Sequence, residues 1–346
     1  MLLGGMEMKV AFFKFFPPTL WAPGGGEVRV VKTVEALERL QVKVVLFDLW
    51  SRVRGFDILH IFGSNYEVSG LVEVAKRVGL KVVVSTISYS AKPVWQWKVW
   101  KWVDRCVPVP TTYRLRQRIY DWADRLIVAS RSEAYQLAQG FRIDGRKIRL
   151  VPHGIDLKRF ELAGPELFTE RYRLRDFVLQ VGRINRHKGQ SRLIRALDGT
   201  GLDVVFIGPL DHSDPEGVGE FERLLRSRPW VHYIGELGHD DPMLASAYAA
   251  ARVHVLPSFS ESLGLVTLEA VAGGAAAVTG PYPPIREYLG DYVYYCNPKS
   301  VDSIRKTVLE AFTKGPKPGA REHVLANFSW DKVAERLLNV YRELVK

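Results

Sequence analysis

Twelve short apolar runs, rich in β-branched residues and mostly separated by segments of helical period, constrain this chain more than any other feature. Lys9–Phe13, Lys43–Phe47, Asp57–Phe62, Lys81–Thr86, Arg125–Ala129 and Ile148–Val151 read as strands. A second set follows at Phe177–Val181, Asp203–Ile207, Val231–Tyr233, Val253–Pro257, Ala275–Thr279 and Val293–Tyr295. Near-continuous apolar character, instead of alternation, marks strands buried on both faces, hence parallel sheets with helices on either side. The expectation is an α/β chain of two doubly wound domains. Their expected bounds are 1–158 and 159–328, with a hinge around Asp156–Pro165 and a last helix over 329–346 that carries an apolar stripe from Val333 to Leu344. Sheets of this kind bind ligands at the carboxyl ends of their strands, and two facing sheets would form a cleft there.

At 346 residues the chain exceeds one ordinary core and suits two domains of roughly 150 residues or slightly more. With 47% hydrophobic and 25% charged residues it is neither disordered, collagen-like nor a disulfide-stapled mini-protein. Cys106 and Cys296 lie far apart and form no metal-ligand pattern, which fits a reducing compartment. No apolar run approaches the roughly 18 residues needed to span a bilayer, and Met1 to Lys9 lacks a signal-like pattern, so a cytoplasmic location is expected, peripheral on the inner membrane face if a lipid partner exists. The net charge of +11 is unevenly spread. Residues 1–160 hold 26 Lys plus Arg against 14 Asp plus Glu, and the remainder 23 against 24. Nucleic acid, an anionic membrane or a phosphorylated small molecule would each explain the basic half.

Three stretches carry chemistry. A Pro-rich loop, Pro17 to Pro23, runs into Gly24, Gly25 and Gly26 at the start of a helix, where backbone N–H groups can meet an anion; a flexible turn would look the same. Gly182 and Arg183 end a strand, and Lys188 and Gly189 open the next helix. Such a cation pair suits a diphosphate, although a solvated basic loop has similar composition. The third stretch, Val253 to Gly274, passes from a strand into a loop bearing Glu261, then into a helix that begins near Gly264 and carries Glu269. Carboxylates accept hydrogen bonds from vicinal hydroxyls, and the N–H groups of Leu265 and Val266 are placed to meet phosphate. Two surface glutamates near a helix start are the plain alternative.

With these residues together, the sequence resembles the retaining GT-B glycosyltransferases of family four, which use nucleotide-activated sugars. The resemblance covers nearly the whole chain. It rests on Gly24-Gly25-Gly26-Glu27, Val151-Pro-His-Gly154-Ile-Asp156, Val181-Gly-Arg183 with Lys188-Gly189, Val205-Phe-Ile-Gly208, Tyr233-Ile-Gly235 and the Glu-x7-Glu spacing of Glu261 and Glu269. It implies two Rossmann-like domains, the first on the acceptor side and the second holding the nucleotide sugar, with the last helix crossing back to the first. It further implies that Arg183 and Lys188 neutralise the diphosphate, Glu269 binds the ribose, Glu261 contacts the donor sugar, and Gly25 and Gly26 face the diphosphate. The implied chemistry is hexosyl transfer with retention and no obligatory metal or other cofactor, from a UDP- or GDP-sugar. Glu261 is not implied as a nucleophile. One departure stands out: where many relatives end the fourth strand in a His near the donor sugar, this chain places Ser88, which cannot carry an imidazolium charge.

The acceptor side has a segment of its own. Lys92 to Trp102 gathers four of the nine Trp beside Lys98 and Lys101; on a helical wheel Trp95, Val99 and Trp102 share one face and Trp97 and Trp100 another. Tryptophan beside lysine suits an anionic membrane surface or a lipid-linked acceptor; a helix packed against an acceptor loop is the alternative. The expected partners are therefore a nucleotide-sugar donor and a lipid-linked or saccharide acceptor such as a polysaccharide precursor, and not nucleic acid. A non-catalytic sugar-nucleotide-binding protein is the second reading. A different GT-B enzyme, such as a phosphorylase or an epimerase, is a third, and no pyridoxal-phosphate lysine motif accompanies it.

Overall fold

A computed structural model of the chain describes residues 8–15, 25–48, 50, 55–90, 92–106, 108–109, 111–161, 163–262 and 264–345. The Pro-rich loop and Gly24 lie outside the described residues. The chain divides into two compact units, Met1–Gly154 with Trp330–Lys346, and Ile155–Ser329.

The first unit is built on six parallel strands: β1 (Lys9–Lys14), β2 (Lys43–Leu46), β3 (Ile58–Phe62), β4 (Lys81–Ser85), β5 (Arg125–Val128) and β6 (Ile148–Leu150), in the order β2-β1-β3-β4-β5-β6. Every residue of β3 is buried, His60 among them, because helices cover both faces of the sheet at its centre. The last helix, Trp330–Val345, packs on this unit. Its stripe of Trp330, Val333, Leu337, Val340 and Tyr341 joins Val10, Phe12, Ile58 and Phe62 in one core. Tyr341 also reaches a polar partner there: its hydroxyl lies 2.5 Å from His60 Nδ1, and the other ring nitrogen of His60 lies 2.9 Å from Ser85 Oγ.

The second unit repeats the plan with β7 (Phe177–Val181), β8 (Val204–Ile207), β9 (Val231–Gly235), β10 (Ala251–Leu256), β11 (Ala276–Thr279) and β12 (Tyr294–Tyr295), all parallel, in the order β12-β11-β10-β7-β8-β9. All twelve expected strands are present, within a few residues of their expected ends. The two that differ most, β9 and β10, belong to the pairs with irregular register, where backbone pairing extends a strand past its apolar run. The strand order reverses between β7 and β10: the chain winds outward through β8 and β9, then returns to place β10 on the other side of β7. That adjacency creates the crevice in which open α/β sheets hold their ligands.

Candidate functional site

Loops from both sides of the β7/β10 reversal meet in the second unit. Gly182 leaves β7 with φ 141°, and a Cβ on Gly208 would fall 2.4 Å from the Gly182 carbonyl oxygen, so this crossing of backbones requires glycine at 208. Arg183 follows Gly182. Gln180 on β7 donates to the Lys188 carbonyl at 2.8 Å, and Gln190 donates to the Arg183 carbonyl at 3.0 Å, which ties this loop to the strand it leaves and to the helix it enters, Gln190–Leu197. The loop after β10 is fastened to it directly. Phe259 N–H donates to the His187 carbonyl at 2.9 Å, His187 Nε2 lies 2.9 Å from the Ser260 carbonyl, and Arg192 lies over the Phe259 ring at 3.6 Å while donating to the Pro257 carbonyl.

Across this junction the Lys188 ammonium lies 2.5 Å from Glu261 Oε1. The sequence separates these two by 73 positions, and the β7/β10 adjacency brings them into contact. Gly264 adopts the left-handed conformation (φ 56°) as N-cap of the helix Leu265–Ala272, so Leu265 and Val266 occupy its first turn, where N–H groups have no acceptor within the helix. Glu269 sits one turn further on and is nearly sealed from solvent, 4% exposed. Tyr248 donates to its Oε2 at 3.0 Å, and His239 Nδ1 lies 3.7 Å from its Oε1. Gly235 closes β9 with φ 90°. Arg183, Lys188, Glu261, Gly264, Leu265 and Val266 thus follow β7 or β10, with Glu269 behind them in the helix. Gly25 and Gly26 belong to the other unit, where Gly25 opens the helix Gly25–Arg39. Among the described residues no group of three or more His, Cys, Asp or Glu is placed to hold a metal ion.

Sequence reasoning passed over Tyr248 and His239. Tyr248 lies in an apolar helix, Pro242–Ala250, and reads as core; His239 lies in a polar loop with no spacing to mark it. It also passed over Glu133 in the first unit. This buried carboxylate accepts from Thr86 Oγ1 (2.6 Å), from Ser88 N (2.7 Å) and Oγ (3.2 Å), and from Ala129 N (2.9 Å). Ser88 therefore anchors the turn after β4. Between the two clamped residues Ile87 is held at φ 44°, a conformation β-branched residues avoid, with its side chain at a cavity lined also by Lys14, Phe15, Phe62, Gly63, Asn65 and Val68.

The Trp-rich segment forms the helix Val94–Cys106, and one expectation about it needs correction. Trp97 is not on the open face with Trp100. It packs against Phe141 with ring centroids 5.6 Å apart, and Gly140 leaves room for it, since a Cβ there would lie 3.1 Å from that of Trp97. Trp95, Trp100 and Trp102 remain 62%, 59% and 67% exposed, and Val99 is exposed with them. No helix among the described residues is long and apolar enough to cross a membrane.

Comparison with known proteins identifies the family. A family model described as glycosyl transferases group 1 matches residues 170–323, and one for glycosyltransferase family 4 matches residues 45–159. The chain is 33% identical over 251 residues to a D-inositol 3-phosphate glycosyltransferase of Corynebacterium jeikeium, a match covering 66% of this chain and 59% of that protein. It is 32% identical over 249 residues to the protein of the same name from Mycolicibacterium paratuberculosis, covering 66% and 55%. It thus spans little more than half the length of these curated relatives. Among solved structures, sucrose-phosphate synthase from Thermosynechococcus elongatus superposes with a TM-score of 0.77 at 19% identity, covering 98% of this chain and 99% of that one. Anabaena HepE in complex with UDP superposes with a TM-score of 0.74 at 14% identity, covering 97% and 100%. With one family model on each unit, and both units folded as in these neighbours, the chain belongs to the GT-B glycosyltransferases of family four.

Proposed function

We propose that the protein transfers a hexosyl group, with retention at the anomeric carbon, from a nucleoside-diphosphate sugar to an acceptor. The observation that carries this reading is the junction of a cationic loop from β7 with a carboxylate loop from β10 at the point where the strand order reverses, joined by the Lys188–Glu261 contact. When the bond from the anomeric carbon to the diphosphate breaks, charge develops on the leaving oxygens. Arg183, Lys188 and the N–H groups of Leu265 and Val266 are the donors that would meet it. Glu261 would accept from donor-sugar hydroxyls and Glu269 from the ribose. In the free protein Lys188 and Glu261 neutralise each other, so a bound diphosphate and sugar would each take over one member of an existing pair. These cations supply the charge that a metal would otherwise bring, and activity is expected to survive a chelator. HepE in complex with UDP and with UDP-glucose supports a uridine donor.

For the acceptor, the curated relatives' name points to a phosphorylated polyol, whereas this chain's exposed Trp95, Trp100 and Trp102 beside Lys98 and Lys101 favour a lipid-linked or polysaccharide-precursor acceptor at an anionic membrane surface. Titration with bare UDP and GDP, together with turnover of the sugar nucleotides, tests the donor reading. Glu269→Ala is expected to weaken nucleotide binding about tenfold or more, and Glu261→Ala mainly to impair turnover. Near-zero effects of both would sink the assignment. The non-catalytic alternative rests on Ser88, whose hydroxyl is engaged by Glu133; donor transfer or hydrolysis by the purified protein overturns it.

A further inference from the structure

A carboxylate that recognises a ribose diol must hold its plane in a fixed orientation, because its two oxygens are equivalent and the orientation of that plane alone decides where each one points. Glu269 is held from behind. Tyr248, wholly buried, donates to Oε2 at 3.0 Å and leaves Oε1, on the His239 side, as the remaining acceptor. The phenol ring is itself wedged in place. Phe160 packs on it at 5.9 Å with an interplanar angle of 69°, and His254 at 5.8 Å and 54°. At Gly273, just beyond the helix that carries Glu269, a Cβ would fall 2.8 Å from the Cβ of Tyr248, so that approach admits no larger residue without a shift. Burial and the Glu269 charge push the Tyr248 phenol well above its ordinary range, against a smaller opposite pull from Arg159. The phenol therefore stays protonated and can only donate to the carboxylate.

We infer that Tyr248 is a positioning residue for nucleotide recognition: by fixing Oε2 of Glu269 it orients Oε1 toward a ribose hydroxyl, and so sets the preference for a ribose over a sugar lacking that diol without touching the nucleotide. The inference rests on the reading of Glu269 as the ribose ligand, and the experiment separates the two. Dissociation constants of the full chain are measured by calorimetry for UDP and GDP and for the 2′,3′-dideoxy form of each, in the wild type, Glu269→Gln and Tyr248→Phe, with a melting curve for each protein.

The wild type is expected to prefer the ribose form. Tyr248→Phe is expected to lose about tenfold or more of that preference, as removal of one hydrogen bond to a charged group predicts, while its affinity for the dideoxy form stays within about twofold of wild type. Full preference in Tyr248→Phe, alongside loss of preference in Glu269→Gln, overturns the inference and leaves the ribose reading standing. A lowered melting temperature with equal weakening of both nucleotide forms marks a merely structural tyrosine and also overturns it. A wild type that binds neither nucleotide, or binds both forms alike, overturns the ribose reading and the inference together.

Discussion

On the proposed donor reading, the single contact of Lys188 with Glu261 would serve two states. Their side chains are 27% and 10% exposed, so neither charge is fully hydrated, and each offsets the other until a ligand arrives. A diphosphate leaving group accumulates charge in the transition state, and cations that meet it there act more on rate than on ground-state affinity. Arg183→Ala and Lys188→Ala are each expected to lower kcat more than they weaken donor binding, with turnover retained in EDTA. Steady-state kinetics beside nucleotide titration checks this, and unchanged turnover in both variants or a strict requirement for a divalent cation contradicts it. Lys188→Ala also strips Glu261 of its partner, so its effect on donor-sugar binding should exceed that of Arg183→Ala. Glu133 makes the same point for structure: one carboxylate with four donors replaces a stretch of regular hydrogen bonding and holds Ile87 in a conformation it would not choose.

That clamp defines a property of the turn after β4, an element whose shape is imposed from the helix Arg131–Gly140 that carries Glu133. Releasing the strain at its centre while keeping the clamp is expected to stabilise the protein: Ile87→Gly fits φ 44°, and the side chain it removes is already 40% exposed. The expected gain is about 1 kcal/mol, read from denaturant unfolding, and a loss of similar size would show that Ile87 contributes packing instead of strain. The same helix leads into the turn that seats the Trp-rich element, through Gly140 and Phe141 against Trp97. The tryptophans of that element should therefore separate by function. Trp97→Ala is expected to cost about 3 kcal/mol of stability. The pair Trp100→Ala and Trp102→Ala is expected to leave the melting temperature unchanged and to weaken salt-sensitive co-sedimentation with anionic liposomes. Each nearby Lys or Arg adds about 1 kcal/mol to such binding, and residues 92–149 hold 13 of them against five acids. No wild-type sedimentation would leave this face without a membrane role.

For the molecule as a whole, acid is the condition that should expose what its cores cost. His60, His153 and His254 are buried, and burial pushes all three below the usual imidazole value, with Arg29 adding to the shift at His60 and His153; His254 is lowered to about 3. Below about pH 6.5 the unfolded chain takes up protons that the folded chain refuses, so stability falls as pH falls, by about 1 to 1.5 kcal/mol per pH unit for each such His. For His254 that window runs from about 6.5 down to about 3. Neither of its ring nitrogens has a hydrogen-bond partner among the described residues, so His254→Leu is expected to raise stability at pH 7 and to flatten the acid dependence of the second unit between pH 6 and 4, read from unfolding curves across that range. An unchanged slope would mean that the imidazole ionises in the folded state. The same buried strands explain what could be read in advance. A parallel strand covered on both faces must be apolar almost throughout, so the central strands announce themselves locally, and even the less buried edge strands β2 and β6 keep apolar runs; the glutamates and cations drew notice by spacing, and their roles came with the family resemblance. Which strands lie side by side is set by crossovers of many residues that leave no local mark. Hence only the tertiary structure placed β7 beside β10, brought Lys188 to Glu261, turned Trp97 inward and set Tyr248 behind Glu269, because each of these depends on which distant surfaces the folded chain buries against one another.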